Sequence, residues 1–448
     1  MSMRMTFQKI NCASILAVTL LVCLSAKAQQ EETGVQAYKK RVLETTEVDL
    51  LSSYYGQDGN NAAVSGGVGT EELTDATATI VVAIPLNDDD VLTIDGGVSA
   101  YTSASSSNVD PFDGGRAADP FVASSGASAS DLWSNLNGTF SHSADDRNTI
   151  WTAKASVATE YDYFSIGFGG SYTRLFNKKN TELSIKGNVY LDTWNAIYPM
   201  ELRPFAAGGD GLNNFLFTIY GVDGNPDYNP DFSKFDNEGR NSYSLGLNFS
   251  QILSKKLQGS LALDFVLQDG LLSTPFQRVY FSDVEDSFIE GFQLADAIEQ
   301  LPGTRFKVAA GGRLNYYINE FLVLRSFYRY YHDDWGINSH TLSLEVPVKL
   351  GSKFTVYPSY RFYSQTAAYY FAPYETHLST EEFYTSDYDL SKYIANQFGV
   401  GVSYTDIFTK FHIWELGLKS IDLKYQHYAR DTGLKADIIT AGIKFVQD

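Results

Sequence analysis

Along most of this chain apolar and polar residues alternate one for one. Over 181–192, Leu183, Ile185, Val189 and Leu191 alternate with Glu182, Ser184, Lys186, Asn188 and Asp192. Over 242–250, Tyr243, Leu245, Leu247 and Phe249 alternate with Ser244, Gly246, Asn248 and Ser250. Leu261, Leu263, Phe265 and Leu267 stand against Ser260, Asp264 and Gln268; Leu342, Leu344, Val346 and Val348 stand against Ser343, Glu345 and Lys349. Period two is the mark of a strand with two unlike faces. No long segment carries apolar residues at the i, i+3, i+4, i+7 spacing of a helix.

The alternation predicts sixteen strands, near 42–55, 76–84, 91–101, 132–142, 149–157, 163–176, 180–192, 241–252, 257–267, 304–318, 321–331, 339–349, 354–364, 396–404, 419–428 and 437–446. Many reach ten residues. That exceeds the ~5–6 of an ordinary globular strand and suits the ~9–11 of a tilted membrane strand. Pro347 and Pro358 fall inside strands, where each removes a ladder donor, so bulges or shifted boundaries are expected there.

Loop length separates by parity. The even connections are mostly tight: 87–90, 144–148, 177–179, 253–256, 319–320 and 351–353, with 405–418 the exception. Several odd ones are long: 56–75, 102–131, 193–240, 268–303 and 364–395. Tight turns on one rim and long loops on the other are the pattern of outer-membrane barrels. A bilayer offers no water to satisfy backbone N–H and C=O groups, so membrane strands must close on themselves. The expected fold class is all-β, a closed antiparallel transmembrane barrel of about sixteen strands. Gly167, Gly169 and Ser171 on its polar phase leave room inside.

The N-terminus reads as an export signal. Arg4 and Lys9 precede the apolar run 13–25, and Ala26-Lys27-Ala28 forms a small-x-small cleavage site. The run is too short to span a bilayer. The expected organisation is a signal peptide over 1–28, a short periplasmic segment over 29–41 and the barrel over 42–448. Cleavage removes Cys12 and Cys23, so the mature chain has no thiol, disulfide or thiolate metal site. Val22 before Cys23 argues against lipoprotein processing. Destination is the outer membrane of a Gram-negative bacterium.

Composition narrows the partners. Asp and Glu outnumber Lys and Arg 53 to 34, a net charge of −19. Losing Arg4, Lys9 and Lys27 makes it three units more negative. Nucleic acid needs a basic footprint and is excluded as a partner. Outer-membrane lipid and, during biogenesis, the barrel-assembly machinery are the expected ones.

Candidate chemistry falls into four groups. Strand phasing turns Arg305, Lys307, Arg313, Arg325, Arg329, Glu345, Lys349 and Arg361 inward, with Glu182, Asp192 and Asp264 elsewhere on the wall. Such charges either set a transverse field across a pore or brace a filled barrel as pairs. Asp223, Asn225 and Asp227, followed by Asn229 and Asp231, alternate as oxygen ligands would for Ca²⁺. Tyr228 stands at the sixth position, where an EF-hand has Gly, and no Glu stands at the twelfth, so a turn-rich loop explains the run better. His332-Asp333-Asp334 is an acid/base candidate, but there is no G-x-S-x-G or H-E-x-x-H, and no enzyme is expected. Acidic loops hold Asp110, Asp113 and Asp119, then Asp283, Glu285, Asp286 and Glu290, then Glu381, Glu382, Asp387 and Asp389. Tyr54, Tyr55, Tyr328, Tyr330, Tyr360 and Tyr363 fit an interfacial girdle.

Five stretches resemble the family known as domain of unknown function 3570, secreted proteins found in many Bacteroidetes. They are SSYYGQDGNNAAVSGGVGTEELTD at 52–75, IYPMELRP at 197–204, GLLSTPFQRVYF at 270–281, LNYYINEFLVLRSFYRYYHDDWGINSHT at 314–341 and EFYTSDYDLS at 382–391. The resemblance implies an outer-membrane barrel with no assigned activity and no agreed catalytic residues. It also implies a setting beside a small lipoprotein, a thioredoxin-like protein and a flavin transferase, hence a lipoprotein or envelope redox partner. The function expected is a small-solute channel or the membrane component of an envelope complex; a structural barrel without a pore and an outer-membrane enzyme are the alternatives.

Overall fold

The computed structural model describes residues 40–102, 130–196, 198, 202–232, 235–289 and 292–447. The expected signal peptide over 1–28, all but the end of the expected periplasmic segment over 29–41, both cysteines, Asp110, Asp113, Asp119, Glu290 and the Ser-rich parts of 102–131 lie outside the described residues. Among the described residues no helix is long and apolar enough to cross a membrane.

Residues 41–448 carry the barrel. Its strands are β1 (Glu47–Asp58), β2 (Leu73–Pro85), β3 (Asp90–Thr102), β4 (Ser130–Ser143), β5 (Thr149–Thr159), β6 (Tyr163–Phe176), β7 (Thr181–Trp194) and β8 (Glu238–Ser254). Then follow β9 (Leu257–Gly270), β10 (Thr304–Asn319), β11 (Leu322–Asp333), β12 (Asn338–Glu345 continuing as Val348–Leu350), β13 (Phe354–Gln365), β14 (Tyr393–Thr405), β15 (Leu416–Arg430) and β16 (Lys435–Gln447). Each pairs antiparallel with the next, and β1 pairs with β16 from Glu47 opposite Val446 to Asp58 opposite Lys435. The sheet has no free edge, as a hydrocarbon environment demands.

Sixteen strands form in the order alternation places them, but β1 starts at Glu47, with bends over 42–45 in place of the expected strand. Several run further at the loop rim: β1 to Asp58, β8 from Glu238, β14 from Tyr393 and β15 to Arg430. Alternation ends where lipid ends. The hydrogen-bond ladder does not, and it continues into polar sequence. The prolines produce no bulge. Arg325 opposite Glu345 and Leu322 opposite Val348 share one register, and the ladder is only interrupted at Val346–Pro347. The Val346 N–H still donates to the Pro358 carbonyl at 3.0 Å, and the Val323 N–H to the Pro347 carbonyl at 3.2 Å. The register shifts that do occur, at Leu257/Gln258, Tyr317/Asn319 and Leu418/Ser420, all lie at the short-turn rim.

One phase of every strand faces out and is apolar, with Leu50, Val98, Leu136, Phe168, Leu261 and Phe398 exposed on it. Tyr54, Tyr328 and Tyr330 are exposed on this face too, and Tyr360, opposite Leu344 and Phe398 in the ladder, shares it. Tyr55 and Tyr363 do not join a girdle. They point inward and join a buried cluster of Leu73, Tyr393, Ala395, Tyr428, Leu434, Ala436 and Ile438. Their hydroxyls donate to Gln57 and Gln365, each at 2.6 Å. Adjacent residues of a strand face opposite ways, so Tyr54 and Tyr55 cannot share a face.

Gly246 shows how tightly the inner wall is fitted. A Cβ there would lie 2.6 Å from both Lys186 Cε and Asp264 Oδ1, two side chains that pair at 3.8 Å across β8. Gly246→Val should displace that pair and destabilise the barrel by about 1–3 kcal/mol, the usual cost of overpacking. The native protein should migrate differently on gels boiled and unboiled. The variant should lose this heat-modifiable band at lower temperature; an unchanged transition would contradict the inward packing.

Candidate functional site

The inner face from β10 to β15 can be followed level by level through the ladder. One level reads Arg313, Phe327, Ser343, Arg361, Gln397 and Tyr428; the next, nearer the loops, reads Gly311, Arg329, Thr341, Tyr363, Ala395 and Arg430. Alternation puts all of them on one face. Nearer the short turns, Arg325 pairs with Glu345 at 2.9 Å, and Lys424 reaches the same carboxylate at 3.9 Å. Lys349 takes the same phase opposite Thr355. At the seam of the barrel Glu47 holds Lys444 at 2.6 Å and Lys419 at 3.0 Å.

Both roles open to the inward charges are present. Bracing pairs are Lys186–Asp264, Arg325–Glu345, Glu47–Lys444 and Arg305–Asp333. Among the described residues Lys307, Arg313, Arg329 and Arg361 have no carboxylate at salt-bridge distance. Asp75 and Asp95 face in from β2 and β3, eight strands around the ring from β10 and β11. They are held by neutral groups: Asp75 accepts from Thr77 at 2.7 Å and Ser99 at 2.6 Å, and Asp95 from Asn137 at 2.5 Å. A basic wall thus faces an acidic one. Glu182 is exposed on the inward phase near the short-turn rim, and Asp192 is buried near the loop rim.

The loop-side mouth is capped. Loops 59–72, 195–237, 271–303 and 366–392 carry apolar clusters of their own. The largest gathers Tyr198, Leu202, Phe205, Phe217, Tyr228, Phe232, Tyr280 and Leu294. The loops also seat on inward-facing wall residues. Gln57 donates to the Glu71 carbonyl at 2.9 Å, Gln365 to the Ser391 carbonyl at 2.6 Å, and Arg430 to Asp389 at 2.6 Å. Trp194 packs edge-on against Phe276. Glycine lets the loops approach one another. Gly66 has φ +75°, and a Cβ there would lie 2.6 Å from the Tyr280 ring; at Gly67, φ +88°, it would lie 2.7 Å from the Ser386 carbonyl. Arg278 donates to the Val64 carbonyl, and Gln277 to Asp387 at 3.3 Å.

Within the cap Glu299 is 4% exposed. It accepts from the Thr385 hydroxyl at 2.5 Å and the Thr274 N–H at 2.7 Å. Burial raises its carboxyl from 4.5 to about 7, against those donors and the nearby Arg240 and Arg305 charges. Asp387, enclosed by the loops and facing Asp389, shifts the same way.

The remaining candidates separate. His332, Asp333 and Asp334 do not converge. His332 lies on the outer face against Asn338 at 3.0 Å, and Asp334 accepts the Phe306 N–H at 3.0 Å. Asp333, 1% exposed, takes Arg305 Nη2 at 2.5 Å, Tyr331 Oη at 2.7 Å and the Ile337 N–H at 3.0 Å. In the Ca²⁺ candidate, Asp223 begins a two-residue strand paired with Phe288, and Asn225 Oδ1 accepts the Asp227 N–H at 2.9 Å, an Asx turn. Among the described residues no three His, Cys, Asp or Glu are placed to hold a metal together. Asp283 is engaged in the cap, accepting from Ser379.

Several site residues escaped the sequence reading. Arg240 and Arg430 lie just beyond strands expected to begin at 241 and end at 428. Lys424 sat in plain alternation with outward Leu423 and Tyr425 and was legible. Glu299 carried no local signal, since its partners Thr274 and Thr385 are distant in sequence.

Two outcomes follow from this geometry. Asp333→Ala should cost about 3–5 kcal/mol, because it strands the buried Arg305 charge, read as a lowered thermal midpoint in detergent. For Glu299, the folded value lies above the unfolded one, so its contribution is fully present below about 4.5 and is lost as pH rises through about 7. Amide protection in 271–303 and 366–392, relative to intrinsic base-catalysed exchange, should therefore fall between those values, and Glu299→Gln should flatten the dependence.

Comparison with known proteins places the chain. No match is found among curated proteins. A bacterial polysaccharide outer-membrane secretin is similar at 10% identity, over 90% of this chain and 98% of that one, with a TM-score of 0.42. OccK9 (OpdG) of Pseudomonas aeruginosa is similar at 8% identity, over 90% and 98%, with a TM-score of 0.39. A mutant ferric enterobactin receptor (PfeA) of Pseudomonas aeruginosa is similar at 10% identity and a TM-score of 0.41, over 87% of this chain; the match spans 54% of the receptor. The family model described as "Protein of unknown function (DUF3570)" matches residues 9–439, and the chain belongs to that family.

Proposed function

We propose that this protein is a channel for a small solute in the outer membrane of a Gram-negative host, with a loop cap over its outer mouth. One observation carries the reading: the inward face keeps unpaired basic groups opposite hydrogen-bonded acids. A barrel that serves only as a scaffold gains nothing from charges left without counter-charges, because unpaired charge away from water is costly. A lumen that passes a polar solute uses them, since lining charges set selectivity. A sixteen-stranded barrel is wide enough to hold water. The cap supplies a gate, its loops seated on the wall through Gln57, Gln365 and Arg430 and through the Trp194–Phe276 ring contact. A non-catalytic role is supported by the divergence of His332, Asp333 and Asp334.

A second reading, the membrane component of an envelope complex, has its own observation. The one long connection at the short-turn rim, 406–415, exposes Ile407, Phe408, Phe411 and Trp414. This rim is the periplasmic one in an outer-membrane barrel. An envelope lipoprotein or redox partner would meet that loop.

Planar-bilayer recording tests the channel. The folded, heat-modifiable protein should give discrete conductance steps in KCl, with longer open periods at pH 8 than at pH 5 as the cap carboxyls ionise. Repeated insertions without current at either pH would remove the channel reading and leave the second.

A further inference from the structure

The inner wall concentrates positive charge at one place in a chain whose net charge is −19. Arg313, Arg329 and Arg361 come from β10, β11 and β13 at two adjacent levels of the ladder. Neighbouring strands lie ~4.8 Å apart, so Arg329 and Arg361 flank β12 at roughly 10 Å between backbones. Arg361 lies opposite Ser343 and Arg329 opposite Thr341, one level apart on the same inward phase. Arg313 lies over the Phe327 ring at 5.0 Å, which braces it from below. Thr341 lies opposite Arg329 and one level from Arg361; it is 3% exposed and its Oγ1 has no hydrogen-bond partner among the described residues. A buried hydroxyl without a partner is uncommon and calls for an explanation.

We propose that Arg313, Arg329 and Arg361, with the Thr341 hydroxyl beside Arg329, form a binding subsite for a small doubly charged oxyanion of the phosphate class. Guanidinium groups grip such oxygens in forked pairs. The Thr341 hydroxyl supplies one further donor. Three positive charges with no carboxylate at salt-bridge distance among the described residues match a dianion better than a halide. The acidic wall at Asp75 and Asp95 repels the anion toward the basic side, so it travels along β10–β13. Arg325, 56% exposed, marks the approach from the short-turn rim, and Lys307 lies further in, beneath the cap. This deepens the channel reading and rests on it for the solute's passage, though not for its binding.

The test uses the whole folded protein and inorganic phosphate as probe. Calorimetric titration at low ionic strength should show one site on the native barrel. Arg361→Gln and Arg329→Gln should each weaken it by about tenfold or more, and Arg361→Lys should restore only part, since an ammonium lacks the fork. Thr341→Val, nearly isosteric and apolar, should weaken phosphate binding while the barrel stays heat-modifiable. Undetectable phosphate binding to the native protein, or affinity unchanged in Arg361→Gln and Thr341→Val, overturns the subsite. In bilayers the same phosphate should block chloride current. Conductance without phosphate block or anion preference sinks the subsite and leaves the channel standing. Phosphate binding that depends on Arg361, in a protein that never conducts, sinks the channel and leaves the subsite.

Discussion

Everything in this molecule depends on the pairing of β1 with β16. A sheet surrounded by hydrocarbon cannot leave an edge unpaired, because each bare N–H or C=O costs several kcal/mol there. The seam runs from Glu47 opposite Val446 to Asp58 opposite Lys435. Its short-turn end is fastened again inside the lumen, where Glu47 holds Lys444 and Lys419. Once the ring is closed, the two faces of every strand acquire different solvents. Leucine and phenylalanine are then stable on the outside, and arginine and aspartate are stable within.

Closure also explains why proline is tolerated. Pro347 and Pro358 stand on neighbouring strands close to one another, and the carbonyls around them still receive the Val323 and Val346 N–H groups. Two donors are lost, but the register on either side is common. A ring pinned on both flanks of β12 cannot slip when one rung is missing.

Inside, the barrel treats its charges in two ways. Some are tied in pairs, as at Asp333, where one carboxylate satisfies an arginine, a tyrosine hydroxyl and a backbone N–H. Others stand open toward the lumen, basic along β10–β13 and acidic across the ring on β2 and β3. The cap is built separately, from apolar clusters belonging to the loops. Three of the stretches that carry the family resemblance, 52–75, 270–281 and 382–391, meet there through Gly66, Tyr280, Gly67 and Ser386. What looked like unrelated loop motifs is one assembly.

Alternation alone was enough to reveal sixteen strands, their two faces and the rim on which the long loops gather. It also placed Arg313, Arg329 and Arg361 on one phase, because a strand's period is a local property of the backbone. The tertiary structure decided what a local pattern cannot carry. Tyr55 and Tyr363 went inward because phase, not residue type, assigns a face. Arg240 and Arg430 joined the wall because the ladder outruns the apolar alternation that marks lipid. Asp333 parted from His332 because neighbours on a strand point apart. The cap, with Glu299 between Thr274 and Thr385, arose from contacts among loops distant in sequence. Such contacts leave no period in the chain and exist only once the ring has brought the loop ends together.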